Sequence, residues 1–148
     1  MIEIGKGSIL VAKVEALVNP VNCVGVMGKG LALSVKLRWP EAYAEYRSLC
    51  NGPGLQPGDV HVVSQTSPMI LNLATKQHWR NPSKLEWIGA GLGNLKHLVC
   101  ERGIRSLAIP AIGCGNGGLP WLQVRALIGS TFCVMPYDLR LLIFEPQE

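Results

Sequence analysis

The sequence predicts an α/β domain: a mixed central β-sheet flanked by helices on both faces. Short apolar, β-branched runs alternate with stretches of helical periodicity, the pattern of strands joined by crossover helices. Hydrophobic residues make up 48% of the 148 and charged ones 16%, which suits one well-buried domain and argues against disorder. Polar or glycine-rich segments follow several of the predicted strands, where sheets of this class bind ligands.

The elements follow in order. "MIEIGKGSILV" reads as an opening strand pair broken by glycines. "ALVNPVN" reads as a buried strand that ends at Asn19-Pro20. "KGLALSVKLRW" has apolar residues at helical spacing (Leu31 and Val35, Leu37 and Trp39) and stops at Pro40. "PEAYAEYRSLC" restarts as a helix, with Pro40 in its first turn and Glu41 favourable near its N-terminus. A turn cluster, "NGPGLQPG", leads to the strands "DVHVVSQ" and "MILNLAT". "SKLEWIGAGLGNLKHLVCERG" is a long amphipathic helix that Ser83 can cap and Gly103 can end. "IRSLAIPAIG" is a strand running into "GCGNGGL". "PWLQVRALIGSTFCV" is the last helix, with Pro120 at its start, and "DLRLLIFEP" is the closing strand.

The formal charge of +4 permits an anionic partner without requiring one. Cys23, Cys50, Cys100, Cys114 and Cys133 are odd in number and irregular in spacing, which gives neither a disulfide framework nor a zinc site. Reduced thiols, no signal peptide at "MIEIGKGSIL" and no membrane-length apolar run together predict a cytoplasmic protein that uses no metal.

"GVMGKG" (residues 25–30) and "GCGNGG" (113–118) each follow a strand and open a helix. Glycines let backbone N–H groups approach an anion, and a helix N-terminus adds favourable potential for phosphate. Tight-turn glycine is the competing explanation for either loop alone. Two loops at equivalent strand ends point to a ligand clamped between them.

In combination, "ALVNPVNCVGVMGKGLALSVKLRWP", "NLATKQHWRNPSKL" and "IPAIGCGNGGLPW" resemble the macrodomain family, which binds ADP-ribose; the likeness covers nearly the whole chain. Within that family the pattern is most similar to the DarG antitoxin branch, partner of the DNA ADP-ribosyltransferase toxin DarT. The resemblance implies a macrodomain over residues 1–148, the N-terminal domain of a longer protein in that branch. It implies a monomer without cofactor that removes ADP-ribose from nucleic acid, with thymine in single-stranded DNA as the expected base.

The site residues it implies are these. Asn22 falls beside the distal ribose, and Gly28, Lys29 and Gly30 fall in the loop covering that ribose. Gly113, Cys114, Gly115, Asn116, Gly117 and Gly118 wrap the diphosphate. Ser8, Ile9 and Phe144 fall at the adenosine end. Lys76 matches the lysine needed for hydrolysis, with Asn22 its companion. Two positions depart from family patterns. Ser8 stands where an aspartate usually holds the adenine amino group. Gly117 stands where the branch acting on protein glutamates has an aspartate. They keep open one alternative, a non-catalytic ADP-ribose-binding module; a hydrolase of ADP-ribose on protein carboxylates is a second, although Gly117 lacks that branch's aspartate and agrees with the DarG pattern instead.

Cleaving the bond from C1″ to a base nitrogen develops positive charge on the ribose. Lys76 can attack C1″ if its amine is neutral, which requires desolvation or nearby cations, Lys29, His78 and Arg80 being candidates. As an ammonium it can instead polarise the leaving base. Next to it, "QHWRNPSK" offers Trp79 for stacking on a base, with Arg80 and Lys84 for phosphates and His78 for a polar contact. Packing of Trp79 on Trp87 and Pro82 is the structural alternative. Cys114 and Cys23 read as small packing residues, His61 and His97 show no pairing pattern, and Tyr43 and Tyr46 read as core or helix surface.

Overall fold

The computed structural model of the chain describes residues 1–146. A six-stranded sheet has the order β1-β6-β5-β2-β4-β3. Its strands are β1 (Ile2–Ile4), β2 (Ala16–Asn22), β3 (Val60–Val63), β4 (Met69–Lys76), β5 (Ser106–Ile109) and β6 (Arg140–Ile143). All neighbouring pairs are parallel except β3 with β4. The helices are α1 (Gly30–Arg38), α2 (Pro40–Asn51), α3 (Leu85–Arg102) and α4 (Trp121–Phe132).

Strand alternation decides which helices cover which face. Ala16, Val18, Leu71, Leu73, Leu107 and Ile109 point to one side, where Ile88, Leu92 and Leu95 of α3 and Val124 and Ile128 of α4 meet them. Leu17, Ile70, Ala108 and Leu142 point to the other and meet Val35 of α1, Trp39 between the two helices and Ala42 of α2. Both faces of the central strands are thus dry, which is why β2 and β4 read as near-continuous apolar runs. The expected mixed sheet with helices on both faces is the one observed.

Local readings differ in three places. "MIEIGKGSILV" is not a strand pair. Only β1 is strand, and a 3₁₀ turn spans Ile9–Val11 with the Ser8 Oγ accepting from the Leu10 N–H at 3.2 Å. Gly7, at φ +75°, turns the chain out of the sheet before Ser8 caps that turn. Ser83 does not cap α3: Lys84 holds the cap position without a side-chain bond, and Ser83 is turned inward. Leu37, read as part of a buried stripe, is 73% exposed, because it lies about 200° around the helix from the buried Val35. No helix among the described residues is long and apolar enough to cross a membrane.

The parallel strands β2, β4, β5 and β6 end at the same edge. Between β2 and β4 the register skips a residue: Val21 faces Ala74, but Asn22 faces Lys76. This bulge at Thr75 is the local irregularity that brings Lys76 beside Asn22.

Candidate active site

A cleft of about 1260 Å³ opens at that edge. Such a volume exceeds the usual small-molecule pocket and suits an extended, nucleotide-sized ligand. It is lined by Ser8, Ile9 and Phe144 at one end and by Asn22, Gly28, Lys29 and Gly30 along one wall. Gly113, Cys114, Gly115, Asn116 and Gly117 form the opposite wall, with Lys76, Trp79 and Arg80 at the far mouth. Gly118 and His78 do not line it, though each adjoins a residue that does.

Three glycines of the 113–118 loop have positive φ: Gly113 at +74°, Gly115 at +65° and Gly118 at +77°. A Cβ on Gly113 would sit 2.8 Å from Leu119 and 2.9 Å from Ile88, so that glycine also lets the loop lie on the core. Gly115 has open space around it, and its positive φ is what calls for glycine. At the other end, Gly5 lets the Phe144 ring rest against backbone, since a Cβ there would fall 2.4 Å from the ring.

Asn22 is 7% exposed and its side chain organises the 23–29 loop. Its Nδ2 donates to the Val26 carbonyl at 2.8 Å, and its Oδ1 accepts from the N–H groups of Val24 (3.1 Å) and Val26 (3.4 Å). Tyr46, fully buried on α2, brings its hydroxyl within 2.7 Å of both the carbonyl and the Oδ1 of Asn22. Sequence reasoning left Tyr46 as core or helix surface. Its period marks it as buried, but nothing in its local sequence names a target 24 residues away. Tyr46→Phe is expected to leave buried Asn22 acceptors short of a donor, lowering stability by about 1–3 kcal/mol. A thermal melt beside an ADP-ribose titration checks this, with loss in both expected.

Lys76 donates from Nζ to the Asn116 carbonyl at 3.1 Å and the Trp79 carbonyl at 3.4 Å. Burial, and after it the charge of Lys29, pulls its pKa below the ordinary lysine value of 10.5. His78 instead accepts from the Arg80 N–H at 3.1 Å, and the Arg80 guanidinium lies 4.6 Å from the Trp79 ring centre. Trp79 is 43% exposed, so part of its ring is open to solvent beside the cleft. Trp87 is covered by the Lys84 ammonium at 5.0 Å.

Gly117 is closed in. A Cβ there would lie 2.7 Å from the Ser83 Oγ and 3.9 Å from the Lys76 Cε, and the Ser83 N–H donates to the Gly117 carbonyl at 2.9 Å. The Ser83 hydroxyl is buried without a partner. A side chain at 117 would require Ser83 to shift, so glycine here is what lets Ser83 lie beneath the loop next to Lys76. Sequence reasoning missed this contact, having placed Ser83 at a helix cap.

Burial raises the pKa of Cys114 and pushes Cys23 up to about 12. The histidines do find partners. His61 Nε2 is 3.5 Å from Glu45 and its Nδ1 is 3.2 Å from Asn72, while His97 pairs with Glu101 one turn on at 3.2 Å. None of these contacts reaches the cleft.

The macro domain family model matches residues 18–128. A DNA ADP-ribosyl glycohydrolase of Mycobacterium tuberculosis is 45% identical over 99% of this chain. The chain spans 42% of that relative's length. The solved macrodomain of M. tuberculosis DarG superposes with a TM-score of 0.95 at 44% identity, covering 99% of both chains. Thermosipho africanus DarTG in complex with ADP-ribose superposes with a TM-score of 0.90 at 31% identity, over 98% of this chain and 41% of that one. With the strand order, the paired glycine loops and the strand-end lysine on one edge, the chain belongs to the macro domain family.

Proposed function

We propose that this chain binds ADP-ribose in the cleft and hydrolyses its bond to a base of single-stranded DNA. The observation that carries the reading is Lys76: an amine held below the ordinary lysine pKa, inside a cleft walled by two glycine loops, with an exposed Trp79–Arg80 pair at the mouth. The names of the mycobacterial relative and of the ADP-ribose complex support it. Thymine as the modified base, and a DarT-type toxin as the enzyme whose product is removed, rest on the DarG likeness.

In this reading the loop containing Gly113 to Gly118 takes the diphosphate through backbone N–H groups. Asn22 and the loop with Gly28, Lys29 and Gly30 hold the distal ribose, and Phe144 with Ser8 and Ile9 takes the adenosine. C1″ then faces Lys76. The depressed pKa supports attack by the neutral amine: the C1″–base bond breaks, its electron pair leaves with the base, and water later releases the sugar from lysine. The two carbonyls around Nζ support a second role, an ammonium that stabilises the leaving base.

Mass spectrometry of ADP-ribose release, from modified single-stranded DNA against modified protein, tests the substrate class. Faster release from DNA is expected; release from protein alone would overturn the reading, and release from neither would leave a binding module. Trp79→Ala should weaken binding of modified DNA by about 1–3 kcal/mol, the usual loss for one stacked base. Its affinity for free ADP-ribose and its melting temperature should change much less, and equal losses for both ligands would return Trp79 to a structural role. Light scattering is expected to show a monomer.

A further inference from the structure

A second basic and aromatic surface lies on the other side of Lys76, on α1 and α2. The Lys36 ammonium sits 4.4 Å from the centre of the Tyr43 ring, and Arg47 Nη1 donates to the Tyr43 hydroxyl at 2.8 Å. Arg47 also packs against the loop that lines the cleft: a Cβ on Gly25 would lie 3.8 Å from its Cγ. That loop carries Val24 and Val26, 42% and 39% exposed, and Val26 is part of the cleft wall. The loop is tied to the Trp79 loop by the Cys23 N–H, which donates to the Gln77 carbonyl at 3.3 Å.

Cation–aromatic pairs are dense here. Five occur among the described residues, where a chain of this length would show about two. Three involve residues around this edge: Arg80 on Trp79, Lys84 on Trp87, and Lys36 on Tyr43. Among the described residues, Lys36, Arg47, Arg80 and Lys84 make no ion pair with a carboxylate. Glu45, on the same helix as Tyr43 and Arg47, is engaged by His61 instead. Cations left free of acids and propped against flat rings are suited to a chain that alternates phosphates with bases.

We propose that Lys36, Tyr43 and Arg47 form a second binding segment for single-stranded nucleic acid. The strand enters over Trp79 and Arg80, presents its modified base at Lys76, and leaves over Val24 and Arg47 toward Lys36. The inference rests on the DNA reading above and adds the flank that reading leaves unassigned. It makes the site a saddle that holds nucleotides on both sides of the modified base. Lys36 and Arg47 take phosphates, and the Val24 and Val26 side chains take the face of a base.

Fluorescence anisotropy tests this with oligonucleotides bearing one ADP-ribosylated base and extended on only one side of it. A Lys76→Ala background keeps the substrate intact. In that background, extension on either side is expected to raise affinity. Adding Lys36→Gln and Arg47→Gln should abolish the gain from one side alone. The slope of log affinity on log salt should fall by about 1.4, at ~0.7 per phosphate lost on a single strand. Lys36→Gln alone should remove about half of that. Free ADP-ribose binding and the melting temperature serve as controls for loop 23–29 and should not move. If the double substitution leaves both extension gains and the salt slope intact, the second segment does not exist. A loss of ADP-ribose affinity or melting temperature equal to the loss for DNA also overturns it, because Arg47 would then be supporting the loop. If extension on neither side helps even before these substitutions, the second segment also falls, while release of ADP-ribose from modified DNA against modified protein decides separately whether the DNA reading stands.

Discussion

Lys76→Ala is expected to fold, to keep binding ADP-ribose, and to lose release of ADP-ribose from DNA by at least about a hundredfold, the lower end for a lost acid–base or electrostatic catalyst. Folding should survive because the side chain ends at the cleft and, among the described residues, bonds only to the Asn116 and Trp79 carbonyls. Binding should survive because, in the proposed reading, the glycine loops supply the diphosphate contacts. Lys76→Arg separates the two roles. Arginine keeps the charge but offers no neutral amine, so an attacking lysine predicts an arginine variant as dead as alanine. A purely cationic lysine predicts a measurable residual rate.

The pH profile gives a second readout with a definite sign. A neutral-amine mechanism makes the rate rise with pH and level off above the Lys76 pKa, which lies below 10.5. Lys29→Gln removes a neighbouring positive charge, so the ammonium becomes easier to keep and the pKa goes up. The rise should therefore move to higher pH. An ammonium mechanism predicts the opposite limb, a rate that falls through the same pKa. Undiminished turnover in Lys76→Ala would remove the residue from the mechanism altogether.

Gly115→Glu should abolish most ADP-ribose affinity. The backbone is at φ +65°, a conformation that costs a residue with a Cβ about 1–2 kcal/mol. Charge repulsion costs more: a carboxylate about 4 Å from a phosphate, at an effective dielectric near 20, is worth about 4 kcal/mol, or roughly a thousandfold in affinity. Gly115→Ala carries the backbone strain alone, since nothing lies within 4 Å of its Cβ position. Calorimetry should rank wild type, alanine and glutamate in that order. Unchanged affinity in the glutamate variant would remove the diphosphate from this loop.

The sequence was most legible where the chemistry is local. "ALVNPVN" coincides with β2, Pro40 opens α2, Gly103 ends α3 in the left-handed region, and the strand-end glycines lie in the cleft walls. These follow from backbone preferences that act within a few residues. What stayed hidden depends on partners far along the chain. Tyr46 reaches Asn22 across the α2–β2 interface, and Ser83 slides beneath Gly117 instead of capping its helix. The opening segment is ambiguous because apolar residues fit either a strand or a 3₁₀ turn, and Gly7 with Ser8 decides between them. Exposure of Trp79 was also not readable, since tryptophan supports burial and display equally well until its neighbours are known.

The skipped residue between β2 and β4 makes the active site a matter of parity. Along a strand, odd and even positions belong to opposite faces, and an unbroken register would set Thr75 against Asn22. The bulge shifts the phase by one, so that a lysine from the even series of β4 stands level with Asn22. Straightening the bulge with every residue kept would set Thr75 level with Asn22 and carry the amine to the other side of the sheet, whereas deleting Thr75 would restore the regular count and leave the lysine beside Asn22. The position of the reactive group is therefore encoded in an integer offset between two strands as much as in the identity of the lysine. A relative could keep Lys76 and still lose the site by straightening the bulge without dropping a residue.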